Sequence, residues 1–263
     1  MKNFFSVLFV AACELFSCRP QWQVREDFAK YFNNAGVEGG FVLYDLKHDK
    51  YLVHDLARST RGYIPASTFK LFNALVALET GVIRDENEVL KWDGVRRDVA
   101  AWNQDHSLRT GFKVSAVWFY QEMARRIGAE RMQHYVNLAG YGNRDTSGGL
   151  DLFWLTGGLR ITPVEQIDFL VRLYQNKLPF SQKTMDLVKD IAIFEQGEGY
   201  VLRAKTGWAG KVGWFVGYVE CGEEVYFFAN NIDVAKSGDE RARVAIAKSI
   251  LLDLGLIKAS VSN

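Results

Sequence analysis

The segment IPASTFKLFNALVALETG, residues 64–81, constrains the architecture of this 263-residue chain more than any other. Pro65 is suited to the start of a helix, and Gly81 to the position just past its end. Between them, Leu71–Leu78 is apolar on nearly every face, which predicts a helix that is buried all round. Such a helix needs a large core around it, and a hydrophobic content of 48% is enough to build one.

Outward from this helix, the pattern changes towards strands at both ends of the chain. Residues 22–32 show helical spacing, and short strands at 40–45 and 50–55 form a predicted hairpin. Further helices are predicted at 114–127, 130–138 and 163–174, strands at 200–206, 212–220 and 224–230, and a closing helix at 239–254. The predicted fold class is α+β, an antiparallel sheet built from both termini and flanked by helices, with an inserted helical lobe.

Ser67 and Lys70 are the reactive side chains of the predicted buried helix, and their i, i+3 spacing places both on one face of its first turn. Unpaired N–H groups at the helix start could stabilise an oxyanion as the Ser67 hydroxyl attacks a carbonyl. Burial disfavours the charged form of Lys70, and a neutral amine is both a base and a nucleophile able to take up CO2. The alternative is a lysine whose ammonium reaches solvent from the helix start.

Two downstream elements strengthen the catalytic interpretation. Ser115-Ala116-Val117 opens a helical segment and offers a second hydroxyl, although a helix cap is the usual role of such a serine. Lys205-Thr206-Gly207 follows a predicted strand and supplies a cation, a hydroxyl and a glycine where a substrate can approach the strand edge closely. The order S-x-x-K, then a serine motif, then K-T-G is typical of penicillin-recognising enzymes.

The composition argues against several other classes of function. The chain has 32 Lys and Arg against 31 Asp and Glu, without a basic tail or stripe, so nucleic acid is not a predicted partner. Four His and three Cys, without C-x-x-C or H-E-x-x-H spacing, predict no metal site. No complete G-x-G-x-x-G occurs, so no organic cofactor is predicted, and the lack of G-x-S-x-G argues against an α/β-hydrolase.

The first residues predict export. Residues 4–13 form a largely apolar run that is too short to span a bilayer and is suited to a secretory signal. LFSC, residues 15–18, resembles a bacterial lipobox, in which the cysteine is lipidated after cleavage. We predict a signal peptide at 1–17, a mature domain at 18–263 and a periplasmic protein. The sequence leaves open whether Cys18 carries a lipid anchor, and a buried amino-terminal helix is the alternative.

These motifs identify a resemblance to the class D serine β-lactamases, the oxacillinases, over essentially the whole mature length. Val117 is informative, because class A β-lactamases and most penicillin-binding proteins have Asn at that place. The resemblance implies a β-lactamase/transpeptidase-like fold, and we place its α/β lobe at about 22–64 and 181–263 and its helical lobe at about 65–180. The matching segments are 63–70 YIPASTFK, 91–94 KWDG, 115–117 SAV, 141–143 YGN, 153–155 FWL, 203–208 RAKTGW, 213–214 GW and the terminal helix around Arg243.

The resemblance also implies a role for each site residue. Ser67 would be the acylated nucleophile, and Lys70, N-carboxylated by CO2, would be the general base for acylation and deacylation. The Trp154 indole N–H would donate to the carbamate, because an indole donates and does not accept. Ser115 would relay a proton towards the leaving lactam nitrogen. The remaining implied contacts are Val117 and Leu155 in a dry pocket, Lys205, Thr206 and Arg243 on the substrate carboxylate, Gly207 at the strand edge, the N–H groups of Ser67 and Trp208 in the oxyanion hole, and Trp102 beside the cleft or in the core.

The implied partners are small-molecule β-lactams, with penicillins and oxacillin-type substrates first and weak carbapenem turnover. Whether the chain forms a homodimer is left open. A penicillin-sensing receptor domain and a penicillin-binding transpeptidase share the motifs and are the rival interpretations, because both are acylated without being turned over. The number of nitrocefin molecules hydrolysed per Ser67 distinguishes them from a hydrolase.

Overall fold

The strands of the computed structural model, which describes residues 20–259, form one large sheet and one small pair. The strands are β1 Gln21–Val24, β2 Gly39–Asp45, β3 Lys50–His54, β4 Val89–Leu90, β5 His106–Ser107, β6 Ile193–Gly197, β7 Tyr200–Ala209, β8 Val212–Cys221 and β9 Glu224–Asp233. Seven of them form the large sheet in the order β1-β3-β2-β9-β8-β7-β6, while β4 pairs with β5. The sheet thus combines strands from both ends of the described chain.

Helices cover both faces of this sheet. They are α1 Ala29–Ala35, α2 Leu56–Ser59, α3 Lys70–Glu79, α4 Leu108–Lys113, α5 Val117–Ile127, α6 Ala129–Ala139, α7 Pro163–Tyr174, α8 Gln182–Ile191 and α9 Ala242–Asp253. Helices α3 to α7 lie in the chain between β3 and β6, as an insertion between the two groups of strands. The predicted α+β fold class is confirmed, whereas the residue limits given for the two lobes stay predictions.

The start of the described chain differs from its predicted helix. Residues Gln21–Val24 form β1, which pairs in parallel with β3, so the sheet is not wholly antiparallel. Trp22 lies opposite Tyr51 and stacks on it at a centroid distance of 4.3 Å. This cross-strand aromatic contact outweighs the helical spacing, and the α-helix begins only at Ala29. The sequence patterns did not predict helices α2, α4 and α8 or strands β4, β5 and β6.

The central strand β8 is buried on both faces. Trp214, Val216 and Tyr218 point into the core shared with the inserted helices. Phe215 and Val219 alternate with them and pack into the core beneath α1 and α9. A strand buried on both sides is held firmly, so the neighbouring β7 has a rigid support.

The helix predicted from residues 64–81 is buried as expected. A 3-10 turn at Ala66–Phe69 leads into α3, in which every residue from Lys70 to Ala77 is buried. Gly81 follows the helix with a φ of 68°, a left-handed conformation that favours glycine. Ser67 therefore lies in a tight turn at the junction between the core helix and the surface.

The predicted signal peptide and Cys18 lie outside the described residues. Within residues 20–259, no helix combines the length and the apolar content needed to cross a membrane. In the same part of the chain, Cys221 is the one cysteine and is not in a disulfide. The same residues contain no cluster of three or more His, Cys, Asp or Glu side chains that could hold a metal ion.

Candidate active site

Backbone hydrogen bonds, one to a distant loop and one within the turn, hold the turn that carries Ser67. The N–H of Ala66 donates to the carbonyl of Trp154 at 2.9 Å, and the N–H of Thr68 donates to the carbonyl of Pro65 at 3.2 Å. Ala66 has a φ of 51°, which is uncommon for a residue with a side chain. Strain of this kind persists only where the surroundings hold it, so the position of Ser67 is set by contacts outside its own helix.

A buried chain of hydrogen bonds connects the same turn to helix α7. Gln166 of α7 is 1% exposed, and its Nε2 donates to Thr68 Oγ1 at 2.8 Å. Thr68 Oγ1 in turn donates to the carbonyl of Pro65 at 2.7 Å. Sequence reasoning missed this contact, although a glutamine on the apolar face of a predicted helix is the signal that could have found it. Gln166 therefore ties the turn of Ser67 to the core.

Lys70 has no exposed surface and points away from solvent. Its Nζ donates to the carbonyl of Ser115 at 2.5 Å and to Ser115 Oγ at 2.8 Å. The same atom lies 5.1 Å from the ring centroid of Tyr120, a contact that the sequence did not predict. Burial holds the pKa of Lys70 well below its ordinary value, and the charge of Lys205 lowers it further. The alternative of a lysine reaching solvent is wrong.

Ser115 lies directly before α5 without capping it. The N-cap position is taken by Ala116, and no side chain caps that helix end. Ser115 has a φ of 56°, a left-handed conformation, and its hydroxyl is directed to Lys70. The usual cap role of such a serine is therefore not observed. Its strained backbone instead brings a hydroxyl and a carbonyl to one amine.

Trp154 lies in the core against Phe69, the residue that precedes Lys70. It is fully buried and stacks on Phe69 at a centroid distance of 5.3 Å. Its Nε1 is a buried donor without a hydrogen-bond partner among the described residues. A buried N–H left unpaired costs about 1–3 kcal/mol, and native structures seldom leave one unpaired. Val117, at the start of α5, and Leu155 are both half-buried, and Leu155 packs against the core that contains Trp154.

Strand β7 carries the K-T-G residues along the turn of Ser67. A Cβ placed on Gly207 would lie 3.0 Å from the carbonyl oxygen of Pro65 and 3.1 Å from Thr68 Cγ2. Glycine therefore lets the strand pack against this turn, in addition to the substrate approach that the sequence suggested. Trp208, the next residue along the strand, has 49% of its surface exposed.

The site contains two further cationic groups, the buried Lys205 and the half-buried Arg243. Lys205 is 4% exposed, and burial, with the nearby charge of Arg243 as a second cause, lowers its pKa to about 7. Asn230 Nδ2 donates to the carbonyl of Arg243 at 2.6 Å and so helps to position the start of α9. Neither cation forms an ion pair with a described carboxylate. Buried or half-buried cations without a partner anion are suited to binding a carboxylate from outside.

Trp102 contacts the chain segment that directly precedes Ser115. It is half-buried, and its Nε1 donates to the carbonyl of Val114 at 2.9 Å. Its own carbonyl accepts a bond of 2.7 Å from Trp118 Nε1 on α5. These contacts give Trp102 a structural role next to the site, and they leave its contact with a substrate a prediction.

Comparison with known proteins gives consistent results at the levels of family, sequence and structure. A family model for the penicillin binding protein transpeptidase domain matches residues 39–252. Beta-lactamase OXA-48 of Klebsiella pneumoniae is 43% identical over 235 residues, which cover 88% of this chain and 89% of that protein. Beta-lactamase OXA-10 of Pseudomonas aeruginosa is 39% identical over 264 residues, covering 98% of this chain and 99% of that protein. This chain belongs to the class D β-lactamases.

Solved structures give this class D β-lactamase the same assignment. The class D β-lactamase YbXI from Nostoc superposes with a TM-score of 0.85 at 48% identity, over 88% of this chain and 99% of that one. FUS-1 (OXA-85) from Fusobacterium nucleatum superposes with a TM-score of 0.87 at 38% identity, over 90% and 100% of the two chains. The recognised family and the hydrolase prediction are confirmed. The roles of individual residues stay predictions.

Proposed function

We propose that this class D β-lactamase opens the β-lactam ring through an acyl-enzyme on Ser67, with N-carboxylated Lys70 as the general base. Penicillins and oxacillin-type compounds are its first substrates, and resistance to them is the consequence. The observation that carries the proposal is the buried Lys70 amine, which lies three residues after Ser67 and is bonded to the Ser115 hydroxyl. Burial holds the pKa of this amine well below its ordinary value, which favours the uncharged form that takes up CO2.

We propose one step for each residue. Lys70 removes the proton from the Ser67 hydroxyl, which attacks the lactam carbonyl. The N–H groups of Ser67 and Trp208 stabilise the oxyanion. Ser115, in contact with Lys70, passes a proton to the lactam nitrogen as the ring opens. Lys70 then takes a proton from water, whose oxygen attacks the ester carbonyl, and returns that proton to Ser67 Oγ as the ester bond breaks, so one base serves both halves of the reaction.

Carboxylation of Lys70 by CO2 fits the pocket. An uncharged amine is the form that reacts with CO2, and burial favours that form of Lys70. Trp154 Nε1 is a buried donor that lacks an acceptor, and an anionic oxygen on the modified lysine would supply one. Once formed, the carbamate supplies an anionic base beside Ser67. We propose that apolar side chains, Phe69 and Val117 among them, exclude water from it, since Lys70 has no exposed surface.

Nitrocefin separates this function from its rivals. We expect many molecules hydrolysed per Ser67, and we expect added bicarbonate to raise the steady-state rate or to straighten biphasic progress curves. The assay is absorbance against time at several bicarbonate concentrations, with active sites titrated by mass spectrometry. A single stoichiometric burst would instead indicate a sensor or transpeptidase, and a rate indifferent to bicarbonate would contradict the carbamate.

Lys205, Thr206 and Arg243 are proposed to hold the substrate carboxylate, which makes binding dependent on pH. Lys205 is an ammonium below its pKa of about 7 and a neutral amine above it. Because the ammonium attracts the carboxylate, kcat/KM should fall by up to about tenfold per pH unit as pH rises through this value. Lys205→Arg keeps its charge and should remove this alkaline decline. A pH profile that this substitution leaves unchanged would exclude Lys205 as its origin.

Export to the bacterial periplasm is proposed from residues 1–18, which lie outside the described structure. An apolar run followed by LFSC supports cleavage before Cys18. Cell fractionation locates the protein, and mass spectrometry of the membrane fraction tests whether Cys18 is lipidated. A full-length chain in the cytoplasm would contradict export. Association into a homodimer is left open.

A further inference from the structure

A cavity of about 600 Å³ lies next to the site and opens along the free edge of β7. It is bounded by α4, by the connection from α8 into β6, and by β7 at Lys205 and Thr206. Strand β6 pairs with β7 only as far as Arg203, so the edge of β7 has no partner strand at Lys205. The cavity is within the size range of small-ligand sites.

The position of this cavity relates it to one part of a substrate. It shares Lys205 and Thr206 with the proposed carboxylate site, so it begins where the substrate carboxylate is held. In cephalosporins, the ring carbon that bears the carboxylate is bonded to C3, which carries the variable substituent. A C3 substituent therefore leaves the ring within two bonds of the carboxylate carbon, at the mouth of the cavity.

The lining is cationic and partly aromatic. Lys113 of α4 is exposed and, among the described residues, forms no ion pair. Arg109 also lines the cavity, but it is paired with Asp190 at 2.7 Å and with Glu86 at 3.5 Å, so within residues 20–259 Lys113 is the exposed cation without a partner there. Phe194 is 45% exposed and packs edge-on against Phe215, so part of its ring remains open to the cavity. Such a lining suits a flat, negatively charged group.

We propose that this cavity is a subsite for the C3 substituent of cephalosporins, with a preference for anionic heteroaromatic groups, and that Lys113 and Phe194 determine this preference. The proposal rests on the proposed carboxylate site at Lys205 and Thr206. Lys113 attracts the negative charge, and Phe194 contacts the aromatic ring. Neither residue contacts the lactam ring, so substrates without such a substituent do not depend on them.

Two cephalosporins that differ at one group provide the test. Cefamandole and cefonicid share a mandelamido side chain and a tetrazolylthiomethyl group at C3. The tetrazole of cefamandole carries a neutral methyl group, whereas that of cefonicid carries an anionic sulfomethyl group. In Lys113→Glu, KM for cefonicid should rise about tenfold while KM for cefamandole changes by less than about twofold. Phe194→Ala should raise KM for both tetrazoles about threefold and leave benzylpenicillin, which has no such substituent, unchanged.

Lys183→Glu is the matched control, because it changes the net charge equally on an exposed lysine of α8 that does not line this cavity. Thermal unfolding of each variant verifies its fold. Equal changes in KM for cefamandole and cefonicid in Lys113→Glu, or the same selective change in Lys183→Glu, would overturn the subsite. If the subsite proposal fails but these variants still hydrolyse benzylpenicillin normally, the proposed β-lactamase function stands. If the unmodified enzyme hydrolyses no β-lactam, both the proposed function and the subsite proposal fail.

Discussion

Lys70→Ala is expected to lower kcat for nitrocefin and benzylpenicillin by about 10³-fold or more, because it removes the base from both acylation and deacylation. Lys70 is fully buried, and its bonds are to Ser115. Among residues 20–259, no other basic side chain donates a hydrogen bond to Ser115. The variant should react slowly with penicillin and then retain the acyl group on Ser67. Stopped-flow kinetics and mass spectrometry of the protein measure the two steps separately.

Lys70→Met is the matched control for packing. Methionine fills most of the volume of the lysine stem without supplying a base, so both variants should lose turnover to a similar extent. Unfolding temperatures should stay close to that of the unmodified enzyme in Lys70→Met, because the buried amine has no ion pair to lose. Turnover retained in either variant would exclude Lys70 as the base.

Trp154→Phe is expected to lower the rate by about 10–100-fold at ambient bicarbonate, as a hydrogen bond to a charged group contributes about 1.5–3 kcal/mol. Phenylalanine keeps an aromatic ring next to Phe69 and removes only the N–H donor, whose lack of a partner motivates the prediction. The loss should act through the stability of the modified lysine. High bicarbonate should therefore restore a large part of the rate.

Labelled bicarbonate supplies an independent measurement. The carbamate carbon should give an NMR signal in the unmodified enzyme that is weaker in Trp154→Phe and that grows with added bicarbonate in parallel with the rate. Phe153→Leu changes a neighbouring buried ring without touching the indole donor, and its rate should not respond to bicarbonate in this way. An equal loss in Trp154→Phe at every bicarbonate concentration would contradict the role of the indole.

Local sequence patterns predicted those parts of the structure that depend on local periodicity. The buried helix after Ser67, the hairpin of β2 and β3, and strands β7 to β9 each have a period of apolar residues that the structure retains. Strand β1 does not, because its conformation depends on pairing with Tyr51, which lies far along the chain from Trp22. Strand β6 is short, largely exposed and at the sheet edge, and such strands have little pattern.

The candidate site likewise combines residues that the sequence indicated with contacts that only the folded structure shows. Ser67 and Lys70 are three residues apart on a recognisable helix, and spacing alone placed them together. The resemblance to a known family, rather than any periodicity, indicated Trp154 and Arg243. The contact of Gln166 with Thr68 and the ring of Tyr120 beside Lys70 join segments that are distant in sequence, and only the folded chain brings them together.

The burial of α3 on every side has a consequence for how this enzyme can evolve. A substitution anywhere from Leu71 to Ala77 disturbs the core before it alters drug preference, so such changes should be purged. Selection by new antibiotics is left with peripheral positions, such as the exposed Trp208 and Phe194. Clinical diversification should therefore concentrate at the rim and leave the floor of the cleft constant.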